Sequence, residues 1–276
     1  MLGAIVGDII GSVYELQNIK TKDFPLFRDD CTFTDDTVMT IATAEALLKG
    51  AKPEDFISSY RKFGRLYPDA GYGGNFYRWL MSDSLLPYNS YGNGSAMRVS
   101  PVVTKFCDLS CVEDLAKRSA EVSHSHPEGI KGAQATAAAI YIVKTYVWED
   151  SSIEERKAKM KLYIESTYGY NLSRSLDEIR PAYTFNVSCQ ETVPQAIIAF
   201  LESTSFEDAI RNAVSLGGDS DTLAAITGSI AEAAYGVPIP IRKKALSYLP
   251  EPLLKAYFAW YQSLHYGTYP VRTPTA

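Results

Sequence analysis

Glycine recurs at every fourth position, Gly3, Gly7 and Gly11, inside the otherwise apolar opening segment MLGAIVGDIIGS. That spacing puts three positions without a Cβ on one face of a helix, where a second backbone can approach closely. In a membrane such a stripe would mark helices that dimerise. Here Asp8 lies inside the segment, so the pattern predicts a central helix against which others pack. Ala224, Ala225, Gly228 and Ala231 form a second stripe of small residues near the other end of the chain. Tightly crossed central helices bring their ends together, so residues far apart in sequence can meet.

The remaining periodicity is helical almost throughout. Val38, Ile41, Ala42 and Leu48 recur at helical spacing within 37–49, and Leu223, Ile226, Ile230 and Ala233 do so within 222–235, which Gly236 and Pro238 terminate. The Ala-, Ile- and Val-rich segment 133–147 predicts a helix buried on most sides, and 153–168, 204–216 and 253–264 also fit. The nearest strand candidate is the short run 183–187. With 276 residues, 46% of them hydrophobic, the chain can bury a core without disulfide or metal staples. No Gly/Ser/Pro-rich linker divides it. The expected fold is all-α, a single compact domain of crossed, orthogonal helices over 1–276.

Bulk properties narrow the chemistry. A net charge of −5, from 27 Lys+Arg and 32 Asp+Glu, argues against a sequence-independent grip on nucleic acid. The N-terminus lacks the basic region of a signal peptide, and no apolar stretch reaches the ~20 residues of a membrane span. A cytoplasmic protein is expected, with no membrane partner. Cys31, Cys107, Cys111 and Cys189 form no CxxC motif and are expected as reduced, mostly buried thiols. Three histidines are too few for a His-rich metal cage, so polar chemistry must lean on carboxylates.

Two acidic clusters resemble each other across the chain: Thr34-Asp35-Asp36-Thr37 and Asp219-Ser220-Asp221-Thr222, the second preceded by Gly217-Gly218. Each opens a predicted helix, where Asp, Ser and Thr are favoured N-caps. A cap needs one oxygen, yet each cluster supplies two carboxylates and flanking hydroxyls. Carboxylates crowd together at a cost unless a cation neutralises them. Hard oxygen donors select Mg²⁺, Mn²⁺ or Ca²⁺ over zinc, and four converging carboxylates would suit two divalent ions. Capping and metal binding both remain open at this stage.

Three further segments are polar enough for a site. In 89–98, Gly92, Asn93 and Gly94 permit the close backbone approach and N–H presentation that suit an anion; a simple turn before a helix at Ser95 is the plainer reading. The segment 71–75 is a second Gly-rich loop that could wall the same cleft. Neither matches a P-loop or a dinucleotide fingerprint. Ser123-His124-Ser125-His126-Pro127-Glu128 offers two histidines that could be ligands or phosphate partners, or could cap and pack a helix start.

In this order, the segments GAIVGDIIGSVYE, FTDDT, GNGSAMRVSP, SHSHPEGIKGA and LGGDSDTLAAITGSIAEAAYG resemble the ADP-ribosylglycohydrolase family. The family includes arginine- and serine-directed ADP-ribosyl hydrolases and the dinitrogenase reductase-activating glycohydrolases. The resemblance runs from Gly3 to Gly236 and implies an all-α fold with a binuclear Mg²⁺ or Mn²⁺ cleft. It implies Thr34, Asp35, Asp36, Asp219, Asp221 and Thr222 as metal ligands, and Glu15 and Asp36 at the reacting centre. It also implies Ser90, Tyr91, Gly92, Asn93, Gly94 and His124 around the substrate. Tyr91 is expected to stack on a ring. The implied activity is hydrolysis of the glycosidic bond between ADP-ribose and a modified protein side chain, first of all arginine, releasing ADP-ribose. Serine- or nucleic-acid-linked ADP-ribose, a metal-dependent phosphohydrolase of ADP-ribose-like nucleotides, and a non-catalytic ADP-ribose binder are the alternatives.

Overall fold

The computed structural model describes residues 1–104, 107–145 and 151–266. Its α-helices are α1 (Leu2–Gly11), α2 (Asp35–Lys49), α3 (Pro53–Leu66), α4 (Gly74–Met81), α5 (Gly94–Met97), α6 (Leu109–Glu121), α7 (Pro127–Thr145), α8 (Ile153–Tyr168), α9 (Leu176–Ile179), α10 (Cys189–Leu201), α11 (Phe206–Val214), α12 (Ser220–Tyr235), α13 (Ile239–Leu246) and α14 (Glu251–Tyr266). Short 3-10 turns follow α1 at Ser12–Tyr14 and α5 at Ser100–Val102. The fold is all-α.

The Gly stripe does what its spacing predicts. All ten residues of α1 are buried, and α1 runs antiparallel to α12 in backbone contact. A Cβ on Gly7 would stand 2.0 Å from the Ala224 carbonyl oxygen, and one on Gly3 would stand 2.0 Å from that of Gly228. At the far end a Cβ on Gly11 would meet the Asp221 Cα at 2.5 Å. The C-terminus of α1 therefore abuts the N-terminus of α12. Away from the crossing the pair carries Ile5, Ile9, Ile226 and Ile230, all at 0% exposure. Each such side chain contributes roughly 2 kcal/mol through burial.

A second link docks α2 onto α1. The buried Asp8 carboxylate accepts hydrogen bonds from Thr34 N at 3.0 Å, Thr37 N at 3.0 Å and Thr34 Oγ1 at 2.7 Å. Two of these donors are backbone amides at a helix N-terminus and the third is the cap hydroxyl, and a carboxylate there also meets the favourable end of the helix dipole. Three chain segments, the ends of α1, α2 and α12, are thereby gathered at one place.

Several expectations shift. Segment 183–187 is not a strand; the loop at 91–93 runs beside its end, but the pairing extends no further than a single bridge. Its neighbour Ser188 forms the one isolated bridge among the described residues, with Gly92. The helix expected over 133–147 begins earlier, at Pro127, because proline fits the first helical turn and Glu128 complements it; the end of that range lies outside the described residues. Cys31 and Cys189 are free and buried as expected, whereas Cys107 and Cys111 are paired. Their spacing of four brings both thiols to one side of the start of α6. No helix among the described residues is long and apolar enough to cross a membrane.

The α1–α12 contact is backbone on backbone, so no side chain can yield to an added methyl. Gly7→Ala should lower unfolding free energy by about 3 kcal/mol, measurable as a shift of the urea midpoint. An unchanged midpoint would contradict this account of the crossing.

Candidate metal centre and cleft

The two acidic clusters, some 185 positions apart in sequence, meet in space: Thr222 Oγ1 donates to Asp36 Oδ2 at 3.1 Å with a separation of 186 residues. One oxygen each from Asp8, Asp36 and Asp221 lie within 4.8 Å of one another, and so do oxygens of Glu15, Asp219 and Asp221. Asp221 is common to both groups. Asp35 and Thr34 line the same cavity.

Helix capping accounts for only part of this arrangement. Thr34 caps α2, its side chain accepting from Asp36 N at 3.4 Å. Asp219 occupies the N-cap position of α12 but makes no side-chain cap bond; its carboxylate accepts from Asn93 Nδ2 at 2.7 Å instead. Gly217 and Gly218, at φ +68° and +71°, make the left-handed turn that presents it. Asn18 ties this turn to the segment bearing Glu15, with Nδ2 donating to Glu15 O at 2.8 Å and Gly218 O at 3.0 Å, and Oδ1 accepting from Gly218 N at 2.6 Å.

The electrostatics are those of a site built for positive charge. Burial, then repulsion from Asp8, Asp35 and Asp219, pushes the Asp36 carboxyl well above its ordinary range. Burial followed by neighbouring carboxylates does the same to Asp35 and Asp221. Burial raises Asp8 to about 6, against the opposing effect of its bonds from Thr34 and Thr37. Glu15 is raised by burial first, then by Asp219 and Asp8. Asp36 Oδ1 is buried and has no hydrogen-bond partner. An orphaned carboxylate oxygen among carboxylates and hydroxyls fits a hard divalent cation. Asp8, by contrast, already spends its oxygens on Thr34 and Thr37, so it serves to place α2.

Above the acidic floor opens a cavity of about 460 Å³. Ser90, Gly92, Asn93, Gly94 and His124 line it, as do Gly71, Gly73, Gly74 and Asn75 from the second Gly-rich loop. Tyr91 does not: it is 53% exposed and packs edge-on against His126, ring centroids 5.4 Å apart. His126 accepts from Glu128 N at 3.1 Å, closing the start of α7. Two amides of the loop are already engaged, Gly92 N with Ser90 Oγ and Asn93 N with Val187 O.

Sequence reading passed over Asp8, Arg98 and the apolar walls Phe76, Tyr88, Phe185 and Val187. Asp8 had a signal, as a lone carboxylate inside an apolar helix. The loop walls Tyr88, Phe185 and Val187 had none, since apolar residues at loop positions carry no periodicity, and Phe76 lies at the start of the short helix α4. A groove of about 480 Å³ adjoins the cavity, sharing Glu15, Thr34 and Gly71 and continuing past Phe33, Tyr67 and Asp69.

Comparison with known proteins gives the family. The sequence model of the ADP-ribosylglycohydrolase family matches residues 1–264. The chain belongs to the ADP-ribosylglycohydrolase family. It is 27% identical to the ADP-ribosylhydrolase ARH3 of Gallus gallus, over 86% of this chain and 84% of that protein. It is 24% identical to the ADP-ribosylarginine hydrolase Tri1 of Pseudomonas putida, over 86% and 70% respectively. A solved ADP-ribosylglycohydrolase-related protein complex superposes with a TM-score of 0.67 at 25% identity, covering 95% of this chain and 96% of the other. Membership of this family makes the chain a hydrolase of an ADP-ribose linkage.

Crowded carboxylates predict an inverted pH response in the metal-free glycohydrolase. A carboxyl whose proton is held more tightly when folded costs stability once pH rises above its unfolded value near ~4, and the cost grows until pH passes the folded value. Without divalent cation, Asp36→Asn should therefore melt higher than the wild type at pH 7, the gap closing as pH falls toward about 4. Adding Mg²⁺ or Mn²⁺ should reverse the order, since cation binding stabilises the folded wild type. Equal melting temperatures at pH 7 with and without cation would count against a metal centre.

Proposed function

We propose that this chain hydrolyses the glycosidic bond joining the distal ribose of ADP-ribose to an arginine side chain of a modified cytoplasmic protein, within one domain. The observation that carries the metal dependence is the convergence of the two acidic clusters around an unpartnered Asp36 oxygen. Thr34, Asp35, Asp36, Asp219, Asp221 and Thr222 would hold two divalent cations, Mg²⁺ or Mn²⁺. When bound, the ions supply positioning and polarisation of sugar oxygens or water.

The chain's own groups carry the remaining work. Glu15 stands where the cavity and the adjoining groove meet; its raised affinity for a proton suits transfer to the leaving nitrogen, or removal from the attacking water. Asp36, with its unpartnered oxygen among the carboxylates, would fix the reacting end. Ser90, Gly92, Asn93, Gly94 and His124 line the wall along which the diphosphate would lie. Phe185 and Val187, both exposed at the cavity wall, offer apolar cover for a base. The preference for arginine rests on charge. Glu15 and Asp69 are the charged side chains lining the adjoining groove, and no Lys or Arg lines it, which suits a guanidinium. The name of the Pseudomonas putida relative, an ADP-ribosylarginine hydrolase, is in line with this choice.

The test is incubation with arginine-, serine- and nucleic-acid-linked ADP-ribose in the presence of Mg²⁺ or Mn²⁺. The expected product is intact ADP-ribose, fastest from arginine. Asp35→Ala and Asp219→Ala should each reduce the rate by at least about 100-fold, the loss expected when a metal-based contribution of several kcal/mol is removed. AMP or free phosphate as product, or activity that survives both substitutions, would refute the proposal.

A further inference from the structure

Arg98 is the largest fully buried side chain among the described residues, and no carboxylate pairs with it there. Its guanidinium lies 4.3 Å from the ring centroid of Tyr60 and 5.4 Å from that of Phe76. Nη2 donates to the Ser119 carbonyl and to Ser123 Oγ, both at 2.9 Å, while Nε and Nη1 have no partner. A buried cation without a counter-ion is costly, so its placement calls for a reason beyond packing.

The reason lies one bond further on. Ser123 Oγ is 2.9 Å from His124 Nδ1, and Ser123 is fully buried. A guanidinium can only donate, so Ser123 Oγ accepts from Arg98. If His124 Nδ1 carried a proton, the hydroxyl would accept twice and its own hydrogen would have no acceptor. The consistent assignment has the Ser123 hydroxyl donating to Nδ1, which leaves the proton on Nε2. Burial, then the Arg98 charge, keeps the imidazole neutral by holding its pKa well below the ordinary value. Nε2 faces the Gly/Asn loop: a Cβ on Gly94 would stand 3.1 Å from it and one on Gly92 3.6 Å. In that same loop the Gly92 and Asn93 amides are already spent.

We propose that Arg98 is a positioning residue: through Ser123 it fixes His124 as the Nε2–H tautomer, which donates a hydrogen bond to an oxygen of the ADP-ribosyl group lying along Gly92–Gly94. The donation to ligand rests on the function proposed above; the tautomer does not. A wall short of free backbone amides gains in this way a neutral donor that cannot turn into an acceptor. It also explains the absence of side chains at Gly92 and Gly94, where a Cβ would stand between Nε2 and the ligand.

Long-range ¹H–¹⁵N correlation on the ¹⁵N-labelled chain reads the tautomer directly, and calorimetry with ADP-ribose and Mg²⁺ reads the donation. The wild type should show Nε2–H alone. Ser123→Ala should show mixed tautomers and bind ADP-ribose about tenfold more weakly, or ~1.4 kcal/mol. Ser123→Thr, which keeps the hydroxyl, should restore both. A packing role for Arg98 and Ser123 would move thermal stability without moving the tautomer. An Nδ1–H wild type overturns the proposal, as does a Ser123→Ala protein with unchanged ADP-ribose affinity. A chain that binds ADP-ribose through this tautomer yet hydrolyses no linkage would overturn the reading of function and leave the role of Arg98 standing.

Discussion

The structure depends on one contact, the backbone crossing of α1 over α12. Gly3, Gly7 and Gly11 lie so close to the facing helix that their missing Cβ atoms would overlap carbonyl groups and a Cα. This closeness fixes the end of α1 against the start of α12, and Asp8 then holds the start of α2 to α1 through three hydrogen bonds. Two helix N-termini with their acidic residues are thus pressed together in the interior. The strain of that arrangement is electrostatic. Burial and mutual repulsion raise the carboxyls of Asp35, Asp36 and Asp221 well above their ordinary range, and the divalent cation proposed above would relieve both.

Much of this was legible in the residues. The Gly spacing predicted a close-packed central helix, and the doubled TDDT and DSDT clusters raised metal binding beside helix capping, because each offered more carboxylates than a cap needs; that they meet in space appears only in the fold. The cleft wall was less legible. Tyr91, expected at a stacking position, faces His126 and solvent, since the loop at 89–92 turns its side chain outward. Residues 183–187 read as a short strand but serve as an extended rim contributing Phe185 and Val187. Loop aromatics and rims obey no period, so sequence pattern alone cannot place them. Asp8 was visible as an oddity, but its role appears only when Thr34 and Thr37 are brought to it by the fold.

The two halves of the cleft use opposite electrostatic means. On the acidic floor, several carboxylates share one low-dielectric space and await positive charge. On the opposite wall a single uncompensated guanidinium, Arg98, is fully buried against Tyr60 and Phe76 and is linked through Ser123 to His124, which lines the cavity with it. A ligand carrying both a cation-binding diol and an anionic diphosphate matches this polarity. The chain can therefore hold a charged nucleotide while its net charge remains −5 and without a basic patch at the site.

The claim on which the account stands is that aspartates from the starts of α2 and α12 enclose divalent cations together. Anomalous diffraction from crystals grown with Mn²⁺ tests it most directly. Peaks bounded by Asp36, Asp219 and Asp221 are the predicted result. Well-ordered crystals with no anomalous density among these carboxylates at millimolar Mn²⁺, or with Mn²⁺ bound only elsewhere, would contradict it.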